Sequence, residues 1–216
     1  MLRWQAIAVL LVTAIATCGC TRSHEFPNRP ITLVCPWSPG GGTDSVSRQV
    51  AKHLETDLGV PVNVINATGG KGVTGHNRGL RARPDGYTLL MATLELNMMH
   101  WNGLTDLTYR DAKLLMSLNE DYAALFVHKD APWQTLQELE DYIQKNPEQL
   151  SASGTAAGGA WHLAIAGWML SAGQEADDVK WIPSQGAAPS LQLLLSKSID
   201  IVCCALPEAE VSYRSG

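Results

Sequence analysis

Pro39-Gly40-Gly41-Gly42-Thr43-Asp44 sets three consecutive glycines between an apolar run and a helical pattern. A helix N-terminus carries unpaired backbone N–H groups and roughly half a positive charge. Glycine lets a ligand approach those groups with no Cβ in the way. The chemistry expected of Trp37, Ser38, Gly40, Gly41, Gly42 and Thr43 is therefore the cradling of an anion, with Trp37 beside it. Asp44 has the wrong sign for an anion, and is expected to cap the helix or to meet an ammonium group. The plan of strand, glycine-rich turn and helix recurs at 67–75, 154–160 and 184–189. The turns fall into two groups, one before residue 105 and one after 150. Two turns facing each other across a cleft could hold both ends of a dicarboxylate. Three or four hydrogen bonds at roughly 1.5–3 kcal/mol each, less the cost of immobilising the ligand, reach about −8 kcal/mol, near micromolar. No cationic side chain is needed. Taken singly, each turn also reads as a tight connection in an α/β sheet.

Other chemistries fit less well. Gly70-Lys71-Gly72-Val73-Thr74-Gly75 matches G-x-G-x-x-G, and Glu95 lies 20 residues beyond Gly75, the spacing of a dinucleotide fold. Against this, Asn66-Ala-Thr-Gly-Gly separates the strand from the fingerprint, and the helix has room for only about two turns before Pro84. A Walker A loop fails because Gly72 follows Lys71. The six histidines show no H-x-x-x-H spacing, and there is no C-x-x-C, so neither metal nor cofactor is expected. Ser153-Gly154 is not a nucleophile elbow. His162, near a helix start, either contacts ligand or packs. Glu138, Glu140 and Asp141 form a solvated helix face. The chain is expected not to be an enzyme. An α/β enzyme of phosphorylated or nucleotide substrates remains the alternative of a different class.

The elements that must position these turns alternate. Ile31–Cys35 reads as a buried strand, and Val46, Val50, Ala51, Leu54 and Leu58 recur at helical spacing up to Gly59. Val60–Ile65, a short helix ending before Pro84, and Tyr87–Ala92 continue the pattern. This is the signature of a parallel sheet covered on both faces. Strands are expected at Leu114–Leu118, Ala123–Val127, Leu150–Ser153, Val179–Ile182 and Ile199–Cys203. Thr135-Leu-Gln-Glu138 is a capping box opening a helix to about Lys145. Further helices are expected over 161–171 and 191–195. Residues 102–110 are the expected crossing between two α/β lobes.

A net charge of −5 gives no basic footprint for nucleic acid. It also works against anions at long range, so an anion site has to be built locally. Arg3 followed by the apolar run Ala6–Ala16 reads as an export signal, too short for a mature membrane span. It ends at Thr17-Cys18-Gly19-Cys20, a pattern resembling a lipoprotein cleavage site, with Cys20 as the acylated residue, Cys18 second, and plain signal-peptidase cleavage as the alternative. Removing 1–19 leaves Cys35, Cys203 and Cys204 in the fold. An odd number closes no disulfide framework, and buried free thiols are expected.

Arg29-Pro-Ile-Thr-Leu-Val34, Pro39–Asp44, Pro84-Asp-Gly-Tyr-Thr-Leu89, Ser153–Gly159 with His162, and Gly186-Ala-Ala-Pro189 occur in an order that resembles the Bug-type receptors of tripartite tricarboxylate transporters. The resemblance runs from about residue 26 to the C-terminus. It implies a two-lobed periplasmic binding protein, type II-like, that closes on a small carboxylate and delivers it to membrane permease subunits, with the membrane touched only through a lipid anchor. Carried over, Ser38 to Asp44 form the first-lobe loop. Ser153, Thr155, Ala156 and Gly158 with His162 form the second, neighboured by Gly186 and Ala187. Asn66-Ala-Thr-Gly-Gly, Trp161 and Cys203-Cys204 depart from the family pattern. Members continue past the position of Gly216, so the implied lobes are 20–105, lacking its C-terminal return, and 106–216. A sensory receptor for a carboxylate would share the same binding chemistry.

Overall fold

The computed structural model describes residues 25–215. The signal peptide at 1–19 and the lipidation site at Cys20 lie outside the described residues. The first group of elements is β1 (Ile31–Cys35), α1 (Gly42–Leu58), β2 (Val62–Asn66), α2 (Val73–Leu80) and β3 (Thr88–Leu90). The strands form one parallel sheet in the order β2-β1-β3. The central strand β1 is buried at Ile31, Leu33, Val34 and Cys35, which is why its sequence is apolar without alternation. Val46, Val50, Ala51, Leu54 and Leu58 of α1 pack over Ile31, Leu33 and Val62. Gly59 ends α1 at φ 67°, its N–H on the Glu55 carbonyl, a left-handed cap that glycine adopts without strain.

The second group is β4 (Ala123–Val127), α3 (Leu136–Lys145), β5 (Ser151–Ser153), α4 (Ala160–Ser171), β6 (Lys180–Trp181), α5 (Ala187–Leu195), β7 (Ile201–Ala205) and α6 (Leu206–Ser215). Its sheet runs β4-β7-β5-β6, with β4 antiparallel to β7. The Thr135–Glu138 capping box is formed as expected. Strand β7 divides the core between its faces. Ile201 and Cys203 join Leu139, Ile143, Ile165 and Met169, while Val202 and Cys204 join Leu191, Leu194 and Ala209. That division is the two-residue period of a strand buried on both sides.

Three expectations change. Leu114–Leu118 is not a strand: it lies in no regular element and pairs with neither sheet, leaving Leu114, Leu115 and Met116 exposed. A short apolar run has no periodicity to distinguish a paired strand from an unpaired segment. The last strand sits two residues later than expected, at Ile201–Ala205, because Ser151 and Ser153 on β5 fix the register through Asp200 and Val202. The chain then turns directly into α6, for which no helix was expected. No helix among the described residues is long and apolar enough to cross a membrane.

Candidate functional site

The first glycine turn leaves β1 and opens α1. Gly40 takes φ +83°, and its N–H donates to Asp44 Oδ2 at 3.0 Å. Both Asp44 oxygens are committed. Arg48 grips them at 2.9 Å each, and Asn66 donates to Oδ1 at 2.8 Å. Burial opposes ionisation, but these donors outweigh it and hold the carboxyl below its usual range. Asp44 thus fixes the loop through Gly40 without capping α1 at Gly41; it has no oxygen left for an ammonium group and does not line the cleft.

A cleft of about 390 Å³ lies between the two groups of elements. Of the residues expected at the site, Trp37, Ser38, Gly41, Gly42, Thr43, Thr155, Gly186 and Ala187 line it. Gly40, Asp44, Ser153, Ala156, Gly158 and His162 do not. Each of these is placed elsewhere by a local bond or by packing. Ser153 is buried against Ser190, 2.9 Å between hydroxyl oxygens. Ala156 is buried beneath its loop. Gly158, at φ +79°, donates to His162 Nδ1 over 2.9 Å, and the His162 ring leans on Trp181 at 4.9 Å between centroids. His162 therefore takes the packing role, and burial with the nearby Lys71 pushes its pKa down. Gly154 has a packing reason: a Cβ there would lie 2.1 Å from the Cys203 carbonyl oxygen.

The wall of the cleft is braced by a buried network. Trp37 Nε1 donates to the Thr93 hydroxyl at 3.1 Å, and that hydroxyl donates to Glu95 Oε2 at 2.6 Å. The Thr93 N–H donates to His76 Nε2 at 3.2 Å, so His76 carries its proton on Nδ1, facing the Gly72 carbonyl at 2.8 Å. Burial pushes the His76 pKa down, which suits this neutral form. Glu95 Oε1 then accepts from the Ala160 N–H at 2.9 Å, at the first residue of α4. Glu95 therefore serves neither a ribose nor any dinucleotide geometry. Gly75 of the G-x-G-x-x-G stretch is needed for packing, since a Cβ there would lie 2.4 Å from Pro36 Cα.

The N-terminus of α1 has a counterpart arrangement. Glu208, in the first turn of α6, places Oε1 2.7 Å from the Gly42 nitrogen and Oε2 3.0 Å from the Ala205 nitrogen. The second bond is half of a capping box, a third-position glutamate reaching back to the residue before its helix. Burial pushes the Glu208 carboxyl up; the Gly42 and Ala205 N–H groups pull it down, and nearby Asp121 adds to the rise. Gln185 adds two more ties between the groups of elements. Its carbonyl accepts from Ser38 N at 3.1 Å, and its side-chain Oε1 from Gly69 N at 3.0 Å.

The lining residues that the sequence reading missed include Thr93, Glu95, Asn119, Asp121, Trp161 and Glu208. The spacing of Glu95 from Gly75 points only to the disfavoured dinucleotide reading and not to its place in the cleft wall. Glu208 carried a signal: Pro207-Glu208 directly after an apolar strand is a helix-start pattern. Nothing local marks Asn119 or Asp121. Among the described residues no group of histidine, cysteine, aspartate and glutamate side chains is placed to hold a metal.

Comparison with known proteins supplies a context. The model of the tripartite tricarboxylate transporter family receptor matches residues 46–216. A UPF0065 protein of Bordetella pertussis is 30% identical over 218 residues, covering all of this chain and 65% of that protein. Protein BugT of the same organism is 25% identical, over all of this chain and 67% of its own length. Among solved structures, a periplasmic transporter is 26% identical with a TM-score of 0.75, over 88% of this chain and 64% of that one. MatC from Rhodopseudomonas palustris with bound malate is 26% identical with a TM-score of 0.74, over 88% and 65%. The fold is that of two-lobed periplasmic binding proteins. The chain spans about two thirds of the length of these proteins.

Proposed function

Because this chain belongs to the tripartite tricarboxylate transporter receptor family, we propose that it is an extracytoplasmic solute receptor. It takes a small carboxylate into the cleft between its lobes and delivers it to membrane permease subunits. The observation that carries this reading is the cleft itself. It is bounded by the N-termini of α1 and α4, which approach from the two separate sheets. Backbone N–H groups at Gly42 and Thr43, with the Thr155 and Gly186–Ala187 turns opposite, supply an anion site without a cationic side chain. The malate held by a 26% identical neighbour is the kind of ligand such a site fits. In this reading residues 20–105 and 106–216 form the two lobes, and the protein works in the periplasm, anchored through Cys20.

The test is thermal denaturation in the presence of malate, adipate, citrate, glutamate and a nucleotide panel. A rise in melting temperature with at least one carboxylate is expected. Stabilisation by nucleotides alone would sink the receptor reading.

A further inference from the structure

Two of the helix N-termini that face the cleft, those of α1 and α4, already hold a carboxylate, and each carboxylate belongs to the chain. Glu95 lies on Ala160 N and Glu208 on Gly42 N. In each pair the acid comes from one group of elements and the helix from the other.

The two acids differ in how firmly they are held. Glu95 is 5% exposed, and its second oxygen takes the short bond from Thr93. Glu208 is half-buried at the cleft surface, and its second oxygen has only the Ala205 N–H. The ionisable side chains lining the cleft are Glu95, Asp121 and Glu208, with no lysine, arginine or histidine among the lining residues. Glu208 is therefore held by backbone dipoles, with no counter-cation among the described residues that line the cleft. A ligand carboxylate aimed at the start of α1 needs the same Gly42 N–H.

We propose that Glu208 is a specificity-determining residue of this cleft: its carboxylate is the resident occupant of the α1 anion seat, and a ligand carboxylate enters by displacing it. The proposal rests on the carboxylate-receptor reading above. Glycine at 42 leaves room for the seated carboxylate, since a Cβ there would lie 2.9 Å from Glu208 Oε1 and 3.0 Å from its Cδ and Cγ. The proposal also sets affinity as a difference. Each ligand bond at Gly42 replaces a charge-assisted bond of the same kind, so the seat adds little for a ligand that offers only one carboxylate.

The experiment measures acetate and malate affinity calorimetrically for the parent chain, Glu208→Gln and Glu208→Ala. The glutamine keeps an oxygen for Gly42 N but loses the charge, and neutral bonds are about half as strong. The expected result is roughly tenfold tighter acetate and malate binding in Glu208→Gln. Glu208→Ala is expected to show acetate-dependent thermal stabilisation that the parent lacks. Unchanged or weaker binding in Glu208→Gln overturns the proposal. Should either variant fail to fold for want of the α6 cap, the parent alone decides. Malate titration must then shift the Gly42 amide and Glu208 side-chain carboxyl resonances together, and malate binding that leaves both in place overturns the proposal. Acetate binding enhanced in Glu208→Gln, with no carboxylate of the wider panel bound by any form, would leave the seat standing and remove the receptor reading. No acetate or malate binding by any form would overturn the proposal, and the receptor reading falls with it only if no carboxylate of the wider panel binds either.

Discussion

The Trp37 indole nitrogen lies 3.1 Å from the Thr93 hydroxyl, and through that one oxygen the cleft wall is joined to Glu95 and to the first residue of α4. The hydroxyl accepts from one neighbour and donates to the other, which a threonine can do and a valine of similar shape cannot.

Thr93→Val should therefore leave both Trp37 Nε1 and Glu95 Oε2 short of a partner. The expected loss is about 1–3 kcal/mol in urea unfolding, with a changed tryptophan emission in the folded state. A loss under about 0.5 kcal/mol would show that water replaces the hydroxyl without penalty.

Two glycines should separate packing from binding. Gly154→Ala places a methyl 2.1 Å from a backbone oxygen of β7, and neither strand can yield cheaply. A loss of about 1–3 kcal/mol or more is expected. Gly41→Ala meets nothing nearer than 3.6 Å, and its unfolding midpoint should match the parent. Bulkier side chains at 41 should cut carboxylate affinity with the melting temperature of the unliganded chain unchanged. Loss of folding instead would make the turn structural.

Stability should fall as pH drops through the ordinary imidazole range. His76 is buried neutral, so its folded pKa lies below the unfolded value of about 6.5. The unfolded chain binds the proton first, and the slope can approach about 1.4 kcal/mol per pH unit. Asp44, held low in the fold, adds the same sign of change further into acid. Glu208, held high, has the opposite sign: its contribution is full below the usual carboxylate range and is lost as pH rises through its folded value. The difference between the parent and His76→Gln from pH 5 to 8 isolates the imidazole. Parallel curves would show that His76 takes up its proton equally in the folded and unfolded chain, and a difference of opposite slope that it is held protonated.

His162→Ala should cost about 1 kcal/mol through the lost Gly158 bond and Trp181 contact. Carboxylate affinity should change by less than about threefold, since the ring does not line the cleft. A tenfold loss of affinity with unchanged stability would return His162 to the ligand.

Much of this was legible because local patterns and tertiary structure agree. The apolar run of β1, the helical spacing from Val46 to Leu58 with Gly59 as its cap, and the Thr135–Glu138 box each specify one outcome. The glycine turns were legible as helix entries. What occupies them was not, because Glu208 lies 166 residues from Gly42 and Glu95 lies 65 from Ala160. Such pairings are properties of the folded arrangement of two sheets. Residues 114–118 failed for the opposite reason: their composition favours a strand, but a strand forms only where an edge is offered.

Strand β7 has a further consequence for chemistry outside the cleft. Cys203 and Cys204 are neighbours in sequence yet enter different cores, and neither is exposed. Burial pushes Cys203 up to about 12 and Cys204 higher, so almost no thiolate is present near neutrality. In an oxidising compartment such a pair would invite wrong crosslinks while the chain is unfolded. Strand alternation removes the hazard once β7 is docked, and the only window for oxidative error is the interval before that docking.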